Sequence, residues 1–219
     1  MGRQQGQIKC FFLTPTDNVR LMMRRYVSSD RSKCPKHFCH NAIRLLGDAP
    51  AIWTDRSGRH SLDVRPEKFG KKDARWPTKC DHCDYEFSHR RDPFQVTQDL
   101  IYTRLDTGEM VTLRDAPVGA MWYCDWMCSE GSNRWRGPDG HSLCVRIPGD
   151  GGHYDWMVDG RCNNCTMPGD DVHRCWVRTG EPPNITVGKG SKGQSCAAGA
   201  GSIQVPGWHG FLRNGMLVA

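Results

Sequence analysis

The chain has 219 residues with a formal net charge of +6, and only 37% of them are hydrophobic. No apolar run approaches the ~18 residues that a membrane-spanning helix requires, and the N-terminal residues lack the apolar segment of a secretory signal, so we expect neither a transmembrane nor a secreted protein. The 8 Trp and 12 Cys residues argue against a disordered chain. In the reducing compartment that this implies, cysteines bind metal, pack or catalyse.

The chain opens with a predicted strand and a predicted helix. Residues 8–13 form a short apolar run that is typical of a strand. Residues 17–27 predict a short basic helix that Thr16 or Asp17 would cap. Residues 28–78 are rich in Gly, Pro, Ser and charge, so they predict an irregular segment that metal ligation would order.

Two short cysteine clusters predict a first zinc site. A CxxC turn at residues 80–83 directs two thiolates at one ion, and the pair at residues 34–39 would complete a tetrahedron. The predicted ligands are Cys34, Cys39, Cys80 and Cys83, with His37, His40 and His82 as replacements. The alternative is that the two cysteines of the 34–39 cluster pack or form a disulfide with each other.

Positive charge is concentrated in the same part of the chain. Residues 1–92 hold 19 Lys and Arg against 11 Asp and Glu, whereas residues 93–219 hold 11 against 13. A basic region of this kind is typical of a surface for nucleic acid or for an acidic partner. The candidate nucleic-acid contacts flank the CxxC turn and are Arg75, Lys79, Arg90 and Arg91. An ordinary solvated face is the alternative, because the charges are scattered.

The middle of the chain predicts two helices and a hairpin. Residues 92–102 begin with Asp-Pro and predict a helix, and residues 104–113 carry a Thr-Gly turn between apolar runs, which indicates a hairpin. Residues 116–128 predict a second helix with a proline in its first turn. Cys124 and Cys128 would share one face of that helix, and their apolar neighbours favour packing.

The second part of the chain reads mostly as strands. Turn residues at 137–140 and 148–152 separate short apolar runs, and the predicted strands are 142–147, 154–158, 176–177, 185–187 and 203–205. Cys10 and Cys144 lie in such runs and are expected in the core. We therefore predict a β-rich, loop-rich α+β protein with zinc-ribbon or knuckle-like Cys/His clusters. We expect a basic region at residues 1–92 and a mostly β region at residues 93–219. The two regions are compatible with one compact domain.

A second, denser cysteine cluster lies between residues 162 and 196. Its candidate ligands are Cys162, Cys165, His173, Cys175 and Cys196. A Pro-Gly-Asp-Asp turn within it would bring the flanking segments together. Four of the five residues would complete a structural zinc site, and the fifth would be left as a neighbour, a nucleophile or a packing cysteine.

Several motifs are specific enough to indicate a family. The most distinctive are HRCWVRTGEPP at residues 173–183 and CAAGAGSI at residues 196–203. Further matching stretches are residues 73–83, 107–122, 137–140, 164–166 and 208–213. From Arg75 onward the chain resembles an uncharacterised family of bacterial, prophage and tailed-phage proteins, some of which are labelled ammonia monooxygenase. We do not adopt that label, because such a copper enzyme is embedded in a membrane and this chain has no apolar run of spanning length.

The resemblance implies a phage-encoded protein without an assigned activity. Its motifs include equivalents of Cys165, His173, Cys175 and Cys196 but not of Cys162, so it favours those four as ligands of the second ion. The expected cofactor is then Zn²⁺, two ions in all. The expected partners are other phage structural proteins, with nucleic acid as a further candidate and no membrane, and the expected location is the virion or the host cytoplasm.

These observations predict a non-enzymatic, zinc-stabilised structural or adaptor protein of a virion. Closed four-ligand zinc sites are structural because they leave no position for water or substrate. One alternative is a metal- or cysteine-dependent hydrolase with Cys196 or Cys162 as nucleophile and His173 as its base. A second alternative is a nucleic-acid-binding accessory factor that uses the basic region.

Overall fold

The computed structural model describes residues 6–26, 41–53, 60–61, 70, 72–81, 83, 85–88, 94–127, 136–160, 176–188 and 202–219. Within these ranges the chain is strand and turn, and its helical segments are two single 3-10 turns, Asp125–Met127 and Val158–Gly160. The predicted β-rich character is confirmed. None of the described segments is a helix of the length and apolarity that crossing a membrane requires.

The strands range from 2 to 16 residues in length, and most of them pair antiparallel. Numbered in chain order, they are β1 (Ile8–Lys9), β2 (Phe11–Tyr26), β3 (Asn41–Pro50), β4 (Ile52–Trp53), β5 (His60–Ser61), β6 (Phe94–Arg104), β7 (Met110–Thr112), β8 (Ala120–Tyr123), β9 (Leu143–Gly149), β10 (Gly152–Met157), β11 (Val177–Thr179), β12 (Thr186–Gly188), β13 (Ser202–Val205), β14 (Trp208–Arg213) and β15 (Met216–Val218).

The chain divides into two compact units. Unit 1 consists of residues 1–14, 103–111 and 115–219, and unit 2 of residues 15–102 and 112–114. The two regions predicted from the sequence, residues 1–92 and 93–219, were defined by their charge and cysteine content. The two units are defined by contacts, so they do not test that prediction.

Unit 1 is a set of antiparallel strands around one hydrophobic core. Four strands follow the order β1-β15-β14-β13, while β8, β9 and β10 are neighbours and β11 pairs with β12. Val145 and Ile147 on β9 are fully buried, and they pack in one cluster with Leu212 and Leu217 of the other strands. The strands predicted in the second part of the chain are confirmed, as is the burial of Cys10 and Cys144, which are 2% and 4% exposed.

Unit 2 contains the long pair of β2 and β3. Their antiparallel register joins Leu21 to Gly47 and Met22 to Leu45, so the pairing skips Leu46 and forms a bulge. β2 also neighbours β6, and β4 pairs with β5. A small buried cluster of Ala42, Cys80 and Phe87 lies at the start of β3.

All three predicted helices are wrong within the described residues. Residues 17–26 belong to β2, residues 94–102 to β6, and residues 120–123 to β8, which a single 3-10 turn follows. Thr16 does accept a hydrogen bond from the backbone of Asn18 at 3.1 Å, as a helix cap would, but its hydroxyl also donates to Ile101 O at 2.8 Å. The local capping interaction thus forms within a strand, because the pairing of β2 with β3 and β6 overrides the tendency to form a helix.

Candidate metal centre

The CxxC sequence lies on a tight antiparallel turn. Lys79 and Glu86 form an isolated bridge, the Cys80 amide donates to Tyr85 O at 2.8 Å, and the Phe87 amide donates to Thr78 O at 2.9 Å. Cys80 is 4% exposed, whereas Cys83 is half-buried and packs against the same cluster. We call residues 78–87 the knuckle hairpin; it brings both cysteines of the predicted pair into one cluster.

A buried arginine joins the two ends of the knuckle hairpin. Arg25 of β2 is 0% exposed and donates to Pro77 O at 3.3 Å and to Ser88 O at 2.9 Å. Its guanidinium also lies 5.4 Å from the centre of the Phe87 ring, which is within the range of a cation–π contact. Hydrogen bonds to charged donors are stronger than neutral ones, so Arg25 fixes the hairpin to the strand beneath it.

The knuckle hairpin is also attached to the start of β3. The Asp81 amide donates to Asn41 O at 3.4 Å, and the Asp81 carboxylate accepts the Ile43 amide at 3.2 Å. Ala42, between those two residues, packs against Cys80. The first residues of β3 therefore lie beside the CxxC turn.

The other predicted zinc ligands lie outside the described residues. They are Cys34, Cys39, Cys165, His173, Cys175 and Cys196, and the histidines named as replacements lie outside as well. Within the described ranges, no group of three or more His, Cys, Asp or Glu residues is arranged to hold an ion. The structure thus brings together Cys80 and Cys83, and both four-ligand sets stay predictions.

Two of the predicted nucleic-acid contacts are ion-paired. Arg75 donates to both oxygens of Asp73, at 3.0 and 2.7 Å, and these hydrogen bonds lower the pKa of Asp73 to about 2. Lys79 Nζ lies 3.4 Å from a carboxylate oxygen of Glu86. Arg90 and Arg91 lie outside the described residues. Each pairing reduces the net charge that these residues offer to a phosphate.

Sequence reasoning missed a polar cluster in unit 1. His141 Nδ1 lies 2.6 Å from Asp125 Oδ2, and the other oxygen of Asp125 accepts the Ser142 amide at 2.8 Å. The His141 ring stacks on Tyr123 with the ring centres 4.4 Å apart. Because a carboxylate oxygen accepts hydrogen bonds, the contact favours a proton on Nδ1, and in that neutral tautomer Nε2 is an acceptor.

The same cluster continues inward through an arginine. Arg178 is 0% exposed and donates to Asp139 at 2.7 and 3.1 Å and to Asp159 at 2.9 Å. Burial, together with a hydrogen bond to Asp139 at 3.0 Å, raises the pKa of Tyr123 to about 12. Although burial acts in the opposite direction, the Arg178 hydrogen bonds hold the pKa of Asp139 at about 2. At neutral pH Tyr123 is therefore uncharged and Asp139 is ionised.

This cluster orients an imidazole in the way that general bases are oriented, through a carboxylate on Nδ1. In the part of the chain that the structure describes, however, no hydrogen bond joins Nε2 to a hydroxyl or thiol. The first glycine of the predicted turn at residues 137–140 is a sequence feature that the cluster requires. A Cβ on Gly137 would clash with the Arg178 guanidinium, so the first glycine of the 137–140 turn makes room for that side chain.

Comparison of the chain with protein-family models, with curated proteins and with solved structures found no match. The resemblance to the phage and bacterial family, and the ligand set that it favours, therefore stay predictions.

Proposed function

We propose that this chain is a non-enzymatic structural or adaptor protein whose fold is stabilised by zinc at the knuckle hairpin. The observation that carries the proposal is the pairing of Cys80 and Cys83 on one tight turn, held by Arg25 and anchored to the start of β3. Two thiolates on such a turn are half of a structural zinc site.

The anchor at β3 supports the second half of the site. Consecutive Cα atoms are about 3.8 Å apart, so a residue two positions before Asn41 has its Cα within about 7.6 Å of the Asn41 Cα. Cys39 is that residue, and the Asn41 carbonyl accepts a hydrogen bond from the knuckle hairpin. This short connection in the sequence supports Cys39 as a third ligand of the proposed site.

The remaining parts of the proposal depend on the sequence alone. The second zinc, on Cys165, His173, Cys175 and Cys196, is supported by spacing and by the family resemblance. The virion location and the phage structural partners are supported by the resemblance, and finding the chain at fixed stoichiometry in purified particles would test them.

The intact mass of the purified protein, first native and then denatured without reductant, tests the zinc. Each closed site should add about 63 Da under native conditions, and this mass should disappear on denaturation. Two such increments support both sites, and one increment that Cys80→Ser removes supports the knuckle site alone. A protein without metal, whose mass is lowered by about 2 Da for each bridge, would carry disulfides and would overturn the proposal.

A further inference from the structure

A small groove lies between β3 and the segment that enters the knuckle hairpin. Its volume is about 260 Å³. It is lined by Arg44, Leu45, Ala74, Arg75, Trp76, Pro77 and Thr78. We call it the Arg44 groove. Every lining residue belongs to unit 2, so the groove is complete within that unit.

The charged residues that line the Arg44 groove are both arginines. Arg75 is held by the two oxygens of Asp73, which compensates its charge. Arg44 is exposed, and no ion pair joins it to any residue in the described ranges. Among the described residues, the groove therefore presents one guanidinium without an ion pair, and this group pairs with a carboxylate through two parallel hydrogen bonds.

An apolar side chain and a strand edge lie beside this charge. Leu45 is 67% exposed, so its side chain is accessible to a bound segment. Asn41 and Ile43 direct their backbone groups away from β2, to Asp81 of the knuckle hairpin. Alternate residues of a strand direct these groups to the same side, so Leu45 repeats that orientation just before the bulge.

The backbone of Leu45 has no hydrogen-bond partner on that outer side within the described residues. The knuckle hairpin covers the β3 edge as far as Ile43, and the Arg44 groove begins where that cover ends. An extended peptide could then continue the edge, with main-chain hydrogen bonds for affinity and side-chain contacts for specificity.

We infer that the Arg44 groove binds an extended, acidic segment of a partner protein. A carboxylate of the segment pairs with Arg44, its backbone pairs with Leu45, and an apolar side chain covers the Leu45 side chain. The inference gives the chemistry of the partner that an adaptor would hold, so it depends on the proposed function.

Fluorescence anisotropy with a labelled hexapeptide of alternating Asp and Leu tests the inference. Wild-type protein should bind this peptide and should not bind the Lys and Leu counterpart. Arg44→Glu should weaken binding at least tenfold, because it places a carboxylate opposite a carboxylate, and Leu45→Ser should weaken it less. Both positions are exposed, so neither variant should affect folding. Arg213→Glu, which changes an exposed arginine of unit 1, is the matched control and should bind like wild type.

Three outcomes would overturn the inference: no binding by wild-type protein, equal binding by Arg44→Glu, or binding of oligothymidylate in place of the acidic peptide with the same dependence on Arg44. The last would identify the groove as a nucleic-acid contact. The zinc content of the same sample separates the two proposals. Zinc without peptide binding removes only the groove, peptide binding without zinc removes only the proposed zinc site, and the absence of both removes both.

Discussion

The guanidinium of Arg178 and the carboxylate of Asp159 meet at 2.9 Å with neither side chain exposed to solvent. Asp159 also accepts the Leu143 amide at 2.8 Å, so it connects β9 to the arginine of β11. Two charges removed from water cost several kcal/mol each, and this cost is offset only where the geometry is good and the remaining donors are satisfied. Arg178 meets that condition through its further hydrogen bonds to Asp139.

Removing the arginine alone should be strongly destabilising. Arg178→Met leaves Asp159 buried without a cation, so we expect the free energy of unfolding to fall by about 3–5 kcal/mol. Urea unfolding followed by tryptophan fluorescence measures this. Arg20→Met is the control, because its pair with Asp48 is partly exposed and should contribute less than about 1 kcal/mol. Similar losses in the two variants would contradict this account of unit 1.

Stability should fall at acid pH in part because of Asp139. Its pKa is about 2 in the folded protein, below the ordinary value of 3.8. A lowered pKa stabilises the fold fully above about pH 4, and the stabilisation is lost as pH falls from there toward 2. Urea midpoints between pH 5 and pH 2 should therefore decrease less steeply for Asp139→Asn than for wild type. Parallel curves would show that Asp139 has no role in acid unfolding.

The buried thiols should resist alkylation in the native protein. Burial raises the pKa of Cys10 to about 12, and the neighbouring Cys144 thiol together with burial raises the pKa of Cys124 as well. Because the thiolate is the reactive form, iodoacetamide should label these residues only after unfolding. Cys83 is half-buried, so a bound zinc should protect it until a chelator is added. Peptide mass spectrometry with and without chelator measures both effects, and chelator-independent labelling of Cys83 would count against zinc.

The tautomer of His141 should differ from that of the exposed His209. Of the two neutral tautomers, the 2.6 Å contact with Asp125 favours the one that carries its proton on Nδ1. Long-range ¹H–¹⁵N correlation spectra distinguish the two ring nitrogens. Asp125→Asn should change the His141 pattern and leave that of the exposed His209 unaltered. A His141 spectrum that is unchanged in this variant would mean that Asp125 does not orient the ring in solution.

Loss of one thiol of the knuckle hairpin should lower the stability of the fold more than loss of a core thiol. Cys80→Ala removes a predicted zinc ligand, and because the binding free energy of a structural site is part of the folding free energy, we expect both metal loss and unfolding of the chain. Cys10→Ala is the matched control, since it removes a thiol of similar burial without affecting the metal. Calorimetry with metal analysis measures both variants. Normal melting of Cys80→Ala would contradict zinc-dependent folding at this site.

The strands that the sequence predicted correctly are those separated by glycine and proline turns. β9 and β10 are an example, because the Pro-Gly-Asp-Gly-Gly segment at residues 148–152 marks their turn and β9 is a mostly apolar, buried run. The error at β2 has a physical cause as well. Its buried residues include Val19, Met22 and Met23, which is the spacing of a helix face.

Val19, Met23 and Arg25 keep the alternation of a strand, and the burial of Met22, whose partner lies next to the β3 bulge at Leu46, adds the helical spacing. Without knowledge of β3 as a partner, no local rule distinguishes a strand paired in this way from a short helix. The polar cluster was missed for a related reason. Asp125, Asp139, His141 and Arg178 are dispersed over more than fifty positions, and only the folded strands bring their side chains into contact. The CxxC pair was predictable because its two cysteines are close together in the sequence.

The pairing of Ile8 with Leu217 across β1 and β15 has a consequence for how the protein is made. These two strands are separated by most of the chain, so their contact carries a large entropic cost of loop closure. On the ribosome, β1 can pair with β15 only after β15 has left the exit tunnel. Until then, the core residues that pack against Leu217 lack that contact. Until residues 216–218 have emerged, β1 therefore lacks its partner strand, and an unpaired strand edge favours aggregation of the nascent chain.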